Sequence, residues 1–279
     1  MKSTTDYEGF LMLIDTHCHM NMMLKQKFET PLVRAEINAA QEIIRIAQSH
    51  NVRTIINVGT SLIESRNCVT LARHYETLFA TVGIHPNDCT SSWNKDFEEI
   101  KKLAKNKQEN KIVGIGECGI DLHYPNSNLP RQHDAFKAHV ELALEYDLAL
   151  VIHSRDAYDE TLRILEEFKN DIKRATIHCF SYDQTFAQYA IDQNFVIGID
   201  GPITYPKNDA LRAVVKNTDL KNIVLETDAP FLPPQEIRGK QNHPLYIKTI
   251  AQEIARAKEI SYEEVAQQTT TNAKILFKI

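Results

Sequence analysis

Eight short apolar, β-branched runs alternate with helix-patterned stretches along nearly the whole chain, and this alternation constrains the fold more than any other feature. The runs are Leu11–His19, Val52–Thr60, Leu78–Pro86, Ile112–Asp121, Leu148–Arg155, Arg174–Phe180, Phe195–Gly201 and Asn222–Pro230. Between them lie Arg34–His50, Ile63–His74, Asp96–Asn106, Arg131–Asp147, Ala157–Lys169, Asp183–Gln193 and Lys207–Asn217, with His243–Glu259 and Ser261–Lys278 following. In Arg131–Asp147, Phe136, Val140 and Ala143 recur at steps of four and three, which gives a helix one apolar stripe. Strand–helix alternation implies parallel strands joined by right-handed crossovers. Eight such units predict an α/β protein of the (β/α)₈ TIM-barrel class. It is expected to form a single domain over residues 11–279, behind a short N-terminal extension of residues 1–10. An open doubly wound sheet is the competing architecture. No Gly-x-Gly-x-x-Gly follows the first run, and an open sheet would leave the outer strand ends far apart.

Six of the runs close on a residue able to bind metal: His17 and His19 on the first, then His85, Glu117, His153, His178 and Asp228. On an extended first strand, Asp15, His17 and His19 share one face and Cys18 takes the other. Neutral imidazole is the commonest protein ligand for zinc-like ions, so two histidines and a carboxylate on one face form a chelating pattern. A closed barrel brings strand ends together at its C-terminal face, where barrel enzymes keep their active sites. His17, His19, Glu117, His153, His178 and Asp228 are therefore the expected ligands. Five or six ligands exceed what one catalytic zinc takes, so two divalent ions (Mg, Mn or Zn) are expected, with Glu117 placed to bridge them. The competing view of each histidine alone, a hydrogen-bonded core residue, weakens for the set. Asp228 and Glu117 are the catalytic candidates, Asp228 as ligand, as base for a water, or both. Glu226, two residues earlier on the same face, is expected to orient a ligand.

Three further groups have substrate-contact chemistry. His85, in Val82-Gly83-Ile84-His85-Pro86, is read as a contact to substrate phosphate or a group supporting the ligands, the alternative being a further metal ligand. Arg155 lies on the side of His153 and could grip a phosphate oxygen, the alternative being a pair with Asp156. The loop from Pro230 to Pro244 carries Arg238, Lys240 and Asn242, which suit anion binding unless the loop is merely solvated. The net charge of −5 supplies no general attraction for a polyanion, so metals and local arginines would have to provide it. Five cysteines without paired spacing read as reduced, packed thiols. No stretch reaches the ~20 apolar residues of a membrane helix. A monomer in the cytoplasm, or in the nucleus of a eukaryotic cell, is expected, with no membrane partner.

The motifs resemble the TatD family of metal-dependent deoxyribonucleases. They are Asp15-Thr16-His17-Cys18-His19, Val82-Gly83-Ile84-His85-Pro86, Gly114-Ile115-Gly116-Glu117-Cys118-Gly119-Ile120-Asp121, Ile152-His153-Ser154-Arg155, His178-Cys179-Phe180-Ser181 and Leu225-Glu226-Thr227-Asp228-Ala229-Pro230. Arg238-Gly239-Lys240, Asn242, Pro244 and the closing Asn272-Ala273-Lys274-Ile275-Leu276-Phe277 extend the match. The resemblance implies a barrel hydrolase that cuts DNA phosphodiester bonds, often 3′→5′ on single strands, with divalent metal. His17 and His19 would hold one ion, His153 and His178 the other, Glu117 would bridge, and Asp228 would complete the site. Asn21, Leu122, Tyr182 and Gln241 depart from the family pattern without removing a ligand. A second class, C–N bond hydrolases of the amidohydrolase type, shares the barrel and the His-x-His start. It often bridges its metals with a carbamylated lysine after the fourth strand, where this chain offers Glu117.

Overall fold

The computed structural model describes residues 12–25 and 27–279. Leu11 and the expected 1–10 extension lie outside them. Eight strands pair in parallel in sequence order: β1 (Leu13–Cys18), β2 (Val52–Val58), β3 (Leu78–Val82), β4 (Ile112–Asp121), β5 (Ala149–Arg155), β6 (Ala175–Ile177), β7 (Val196–Ile199) and β8 (Ile223–Leu225). The helices are α1 (Met20–Met23), α2 (Arg34–Ser49), α3 (Leu62–His74), α4 (Trp93–Lys105), α5 (Leu129–Tyr146), α6 (Tyr158–Glu167), α7 (Gln184–Asp192), α8 (Asp209–Asn217), α9 (Ile247–Lys258) and α10 (Tyr262–Phe277). The TIM barrel read from the alternation is the fold. The short α1, which has no apolar periodicity, was not visible in the sequence.

β1 and β8 share no regular ladder. The seam is closed just beyond them, where Cys18 bridges Ala229, the His19 N–H donates to the Ala229 carbonyl (2.7 Å) and the Asp228 N–H to the His17 carbonyl (2.9 Å). Barrel closure therefore rests on the same short segments that carry three candidate ligands.

The strands separate two apolar layers. On β5, Leu150 and Ile152 pack outward against the helices, whereas Ala149 and Val151 point into the barrel, as period-two alternation requires. Inside, Ile14, Ile56, Val58, Ala149, Val151 and Val224 meet Ala273, Leu276 and Phe277 of α10, which plug the N-terminal end. The opposite end is polar and holds the candidate site. No helix among the described residues is long and apolar enough to cross a membrane.

Two bulges decide which side chains enter the barrel. On β4, Ile115 pairs with Leu150 and Cys118 with Ile152, so three residue steps of β4 span two of β5. Ile115 and Cys118 both face outward, and the extra residue turns Glu117 inward. Gly116 takes φ +137° at this point, a conformation open to glycine. On β1, Asp15 pairs with Ile55 and Cys18 with Asn57, a second insertion that leaves Cys18 in the outer layer and His17 inside.

Candidate metal centre

His19, Glu117, His153, His178 and Asp228 line one cavity of about 580 Å³ at the C-terminal strand ends. His17 lies beneath it, fully buried, with its ring stacked on His178 at 3.4 Å between centroids. All six expected ligands are thus brought together. β5 delivers His153 on regular strand, and the bulge of β4 delivers Glu117. His19, His178 and Asp228 stand just past shortened strands, and Asp228 adopts φ +56°, a left-handed conformation that concentrates at functional sites.

The donor atoms form two groups that share Glu117. In the first, His17 Nε2 lies 3.2 Å from His19 Nε2, 3.3 Å from Glu117 Oε2 and 3.7 Å from Asp228 Oδ1. His19 Nε2 lies 3.6 Å from Glu117 Oε2 and 3.3 Å from Asp228 Oδ1. Bonds of ~2.0–2.1 Å to a tetrahedral ion would separate its ligands by ~3.3 Å, so the donor atoms of His17, His19 and Glu117 fit a cation of that size, with Asp228 Oδ1 beside the two imidazoles. In the second group, Glu117 Oε1 is 2.7 Å from His153 Nδ1, 3.6 Å from His85 Nε2 and 3.8 Å from His178 Nε2. Glu117, His153 and His178 offer one donor each within 4.8 Å of one another.

Hydrogen bonds behind the ligands set their tautomers. His19 Nδ1 meets the Val58 carbonyl at 2.9 Å, so it carries the proton and leaves the Nε2 lone pair facing the cavity. His178 Nδ1 meets Glu226 Oε1 at 3.0 Å, with the same result. Glu226 therefore orients His178, in a space left by Gly198, where an added Cβ would lie 2.3 Å from Glu226 Oε2. Asp121 serves His153 similarly, its Oδ2 3.2 Å from Nε2, and is itself held by Asn87 Nδ2 at 2.9 Å. His85 is the reverse case. Its Nδ1 accepts the Asn87 N–H at 3.1 Å, so Nε2–H points inward as a donor.

Burial alone would raise the pKa of Glu117, but His85, His178, His153 and His17 outweigh it and hold the carboxyl well below the usual carboxylate range. Asp228 is held low in the same way by His19, His178 and His17 against burial. Burial would lower His178, yet Glu226, Glu117 and Asp228 push it up to about 10. The buried carboxylates thus mark the centre as one that favours positive charge. His85 goes the other way, down to about 3, chiefly through burial.

The other sequence-expected groups divide. Arg155 is exposed, lines the cavity and has no ion pair among the described residues; its proposed partner Asp156 binds His123 at 2.9 Å instead. Arg238 is exposed and stacks over the Tyr205 ring at 4.4 Å, outside the cavity lining. Asn242, expected to contact substrate, is 1% exposed, and its Nδ2 donates to the carbonyls of Thr227 (2.8 Å), Phe231 (2.8 Å) and Leu232 (3.4 Å). Its donors are spent on the backbone, so it is a clamp for the loop after β8. Asp15 shares the strand of His17 but not its site, since its carboxylate accepts from Thr227 Oγ1 (2.6 Å) and Thr227 N–H (3.0 Å). All five cysteines are free, and Cys18, Cys68, Cys89 and Cys118 are buried. Sequence reading missed the roles of Asp121 and Asn87; an acid closing the same strand as Glu117 was the available signal.

The family model for TatD related DNase matches residues 14–278. The chain belongs to the TatD family. It is 34% identical over 268 residues to a Bacillus subtilis protein named uncharacterized metal-dependent hydrolase YabD, covering 96% of this chain and all of that one. A Citrobacter rodentium protein named 3′-5′ ssDNA/RNA exonuclease TatD is 32% identical over 244 residues, 85% of this chain and 91% of the relative. The crystal structure of YjjV, a TatD homolog from Escherichia coli, superposes with a TM-score of 0.86 at 26% identity, covering 96% of this chain and 98% of that one. The protein is accordingly a TatD-family metal-dependent hydrolase, with histidine–carboxylate clusters that could bind metal.

Proposed function

We propose that this hydrolase cuts DNA phosphodiester bonds with two divalent cations, working 3′→5′ on single strands. The observation that carries the reading is Glu117, whose two oxygens face different imidazole groups and so can tie two ions together. His17, His19, Asp228 and Glu117 Oε2 would hold one ion; His153, His178 and Glu117 Oε1 would hold the other. Mg, Mn or Zn suits this mixed donor set. When bound, such cations would lower the pKa of a water and offset charge on the phosphate.

The chain's own groups do the rest. Asp228 stays ionised at neutral pH and takes the proton of the attacking water. His85 Nε2–H and the Arg155 guanidinium donate to phosphate oxygens, and Arg238 meets a phosphate farther along the strand. The relative named as a single-strand exonuclease supports this substrate class. Among the described residues lining the cavity there is no lysine, which removes the carbamylated bridge an amidohydrolase reading would use. The test is degradation of end-labelled single-stranded DNA with Mg²⁺ or Mn²⁺. Activity should vanish with chelator and in Glu117→Ala; equal cleavage with chelator, or full activity in Glu117→Ala, would refute the proposal.

A further inference from the structure

The exposed phenyl and phenol side chains among the described residues are Phe28, Tyr124 and Phe231, and the two phenyl rings line the cavity of the metal centre. Phe28 (49% exposed) and Phe231 (43%) line the cavity itself, and Phe231 lies edge-on to His19 with centroids 5.8 Å apart. Tyr124 follows β4, and its ring lies 5.9 Å from the Arg155 guanidinium. The cavity is therefore mixed in chemistry. Met22, Phe28, Phe231 and Leu232 supply its apolar lining, Phe231 against His19, while Ser154, Arg155 and Ser181 supply a polar, cationic part.

These rings are held in place rather than loosely displayed. The segment carrying Phe28 is tied down by α3: buried Glu64 accepts the Glu29 N–H (2.8 Å) and pairs with Lys25 (2.6 Å), and Asn67 accepts the Leu32 N–H (3.0 Å) and donates to the Thr30 carbonyl (2.9 Å). Asn21 donates to the same Glu64 at 2.8 Å. Phe231 is fixed by the Asn242 clamp and by its own N–H to the Asp228 carbonyl at 2.8 Å. Leaving two phenyl rings in water has a hydrophobic cost, and buried polar anchors that keep them there point to a ligand.

We infer that Phe28 and Phe231 form a stacking subsite for an unpaired terminal nucleobase. The inference rests on the DNA reading above. Its occupant is set by the mixed lining: an anionic backbone suits the cations and Arg155, and a flat aromatic base suits the phenyl rings. A base still paired in a duplex cannot offer its faces to two phenyl rings, so the subsite also supplies a reason to prefer single strands.

The test uses oligothymidylates carrying 2-aminopurine at the 3′ or the 5′ end, bound in Ca²⁺, with fluorescence quenching as the readout. In parallel, the kinetics in Mn²⁺ compare a normal with an abasic 3′-terminal nucleotide. Wild-type protein should quench one end-label and favour the base-bearing end by roughly 5- to 100-fold, mainly in KM. Phe28→Ala and Phe231→Ala should each lose quenching and most of that preference, while Phe28→Tyr and Phe231→Tyr keep both. Both side chains are exposed, so an unchanged Tm is expected to accompany the loss. Cleavage without quenching, or quenching unaffected by both alanine variants, would overturn the subsite and leave the nuclease reading standing. Ring-dependent quenching without DNA cleavage would uphold the subsite and sink the nuclease reading.

Discussion

Replacing Gly198 by alanine should weaken cation binding although Gly198 touches no cation. The added Cβ would meet Glu226 Oε2 at 2.3 Å and its Cδ at 2.4 Å, so the carboxylate must move by about an ångström. That shift breaks the 3.0 Å bond to His178 Nδ1 and the bond Glu226 accepts from the Cys179 N–H. Loss of a carboxylate that orients a ligating histidine typically weakens metal affinity about 10- to 100-fold, or roughly 1.4–2.7 kcal/mol. Competition against a chromophoric chelator, with Zn²⁺ or Mn²⁺, measures it. The mechanism also requires coupling. In a Glu226→Ala background the alanine at 198 has nothing to displace, so it should add less than about 0.5 kcal/mol. Wild-type affinity in Gly198→Ala, or an equal loss in both backgrounds, would show that Gly198 does not act through Glu226.

Asp228→Asn should lower turnover by about 10²- to 10⁴-fold while DNA affinity changes little, as stopped-flow and binding titrations would show; the reverse pattern would make Asp228 a substrate-positioning group. Glu64→Ala leaves the buried Lys25 ammonium unpaired and should cost about 3–5 kcal/mol in denaturant unfolding, whereas loss below 0.5 kcal/mol would remove the anchor argument. His139 is buried neutral, its Nε2 accepting the Ile84 N–H at 2.9 Å, and burial lowers its pKa to about 4 from 6.5. The unfolded chain therefore binds the extra proton. This contribution is whole above pH 6.5 and falls as pH drops toward 4, by about 3 kcal/mol over that window. Unfolding of His139→Gln should lack that component, and a pH profile parallel to wild type would contradict it.

The architecture was legible because it rests on local periodicity. β4 runs from Ile112 to Asp121 as read, and the expected ligands converge because a closed barrel gathers strand ends. Strand lengths were overread where chemistry takes over. β6 stops at Ile177 and β8 at Leu225, although single backbone bonds continue past both, from the His178 N–H to the Ile152 carbonyl and from the Asp228 N–H to the His17 carbonyl. The bulges at Glu117 and His17 were invisible, because one inserted residue leaves no compositional mark. Asn242 misled because an amide near a basic loop reads the same whether it meets phosphate or backbone. Its burial is set by the loop after β8, which folds around it and whose carbonyls it meets. The Phe28 anchor joins Lys25 to Glu64 across 39 residues, a pairing no local pattern announces. Two departures from the family pattern acquire structural roles: Asn21 in that anchor, and Tyr182, whose hydroxyl bonds Ser154 Oγ at 2.8 Å and receives the Ala157 N–H at 3.1 Å.

The central claim, that one carboxylate joins two cations, is tested most directly by anomalous diffraction from crystals grown with Mn²⁺ or Zn²⁺. Two peaks are predicted ~3.5–4 Å apart, one on each side of the Glu117 carboxylate, and both weakened in Glu117→Gln. A single peak among His17, His19 and Asp228, or a second ion held by His85, Asp121 and His153 away from Glu117, would contradict it.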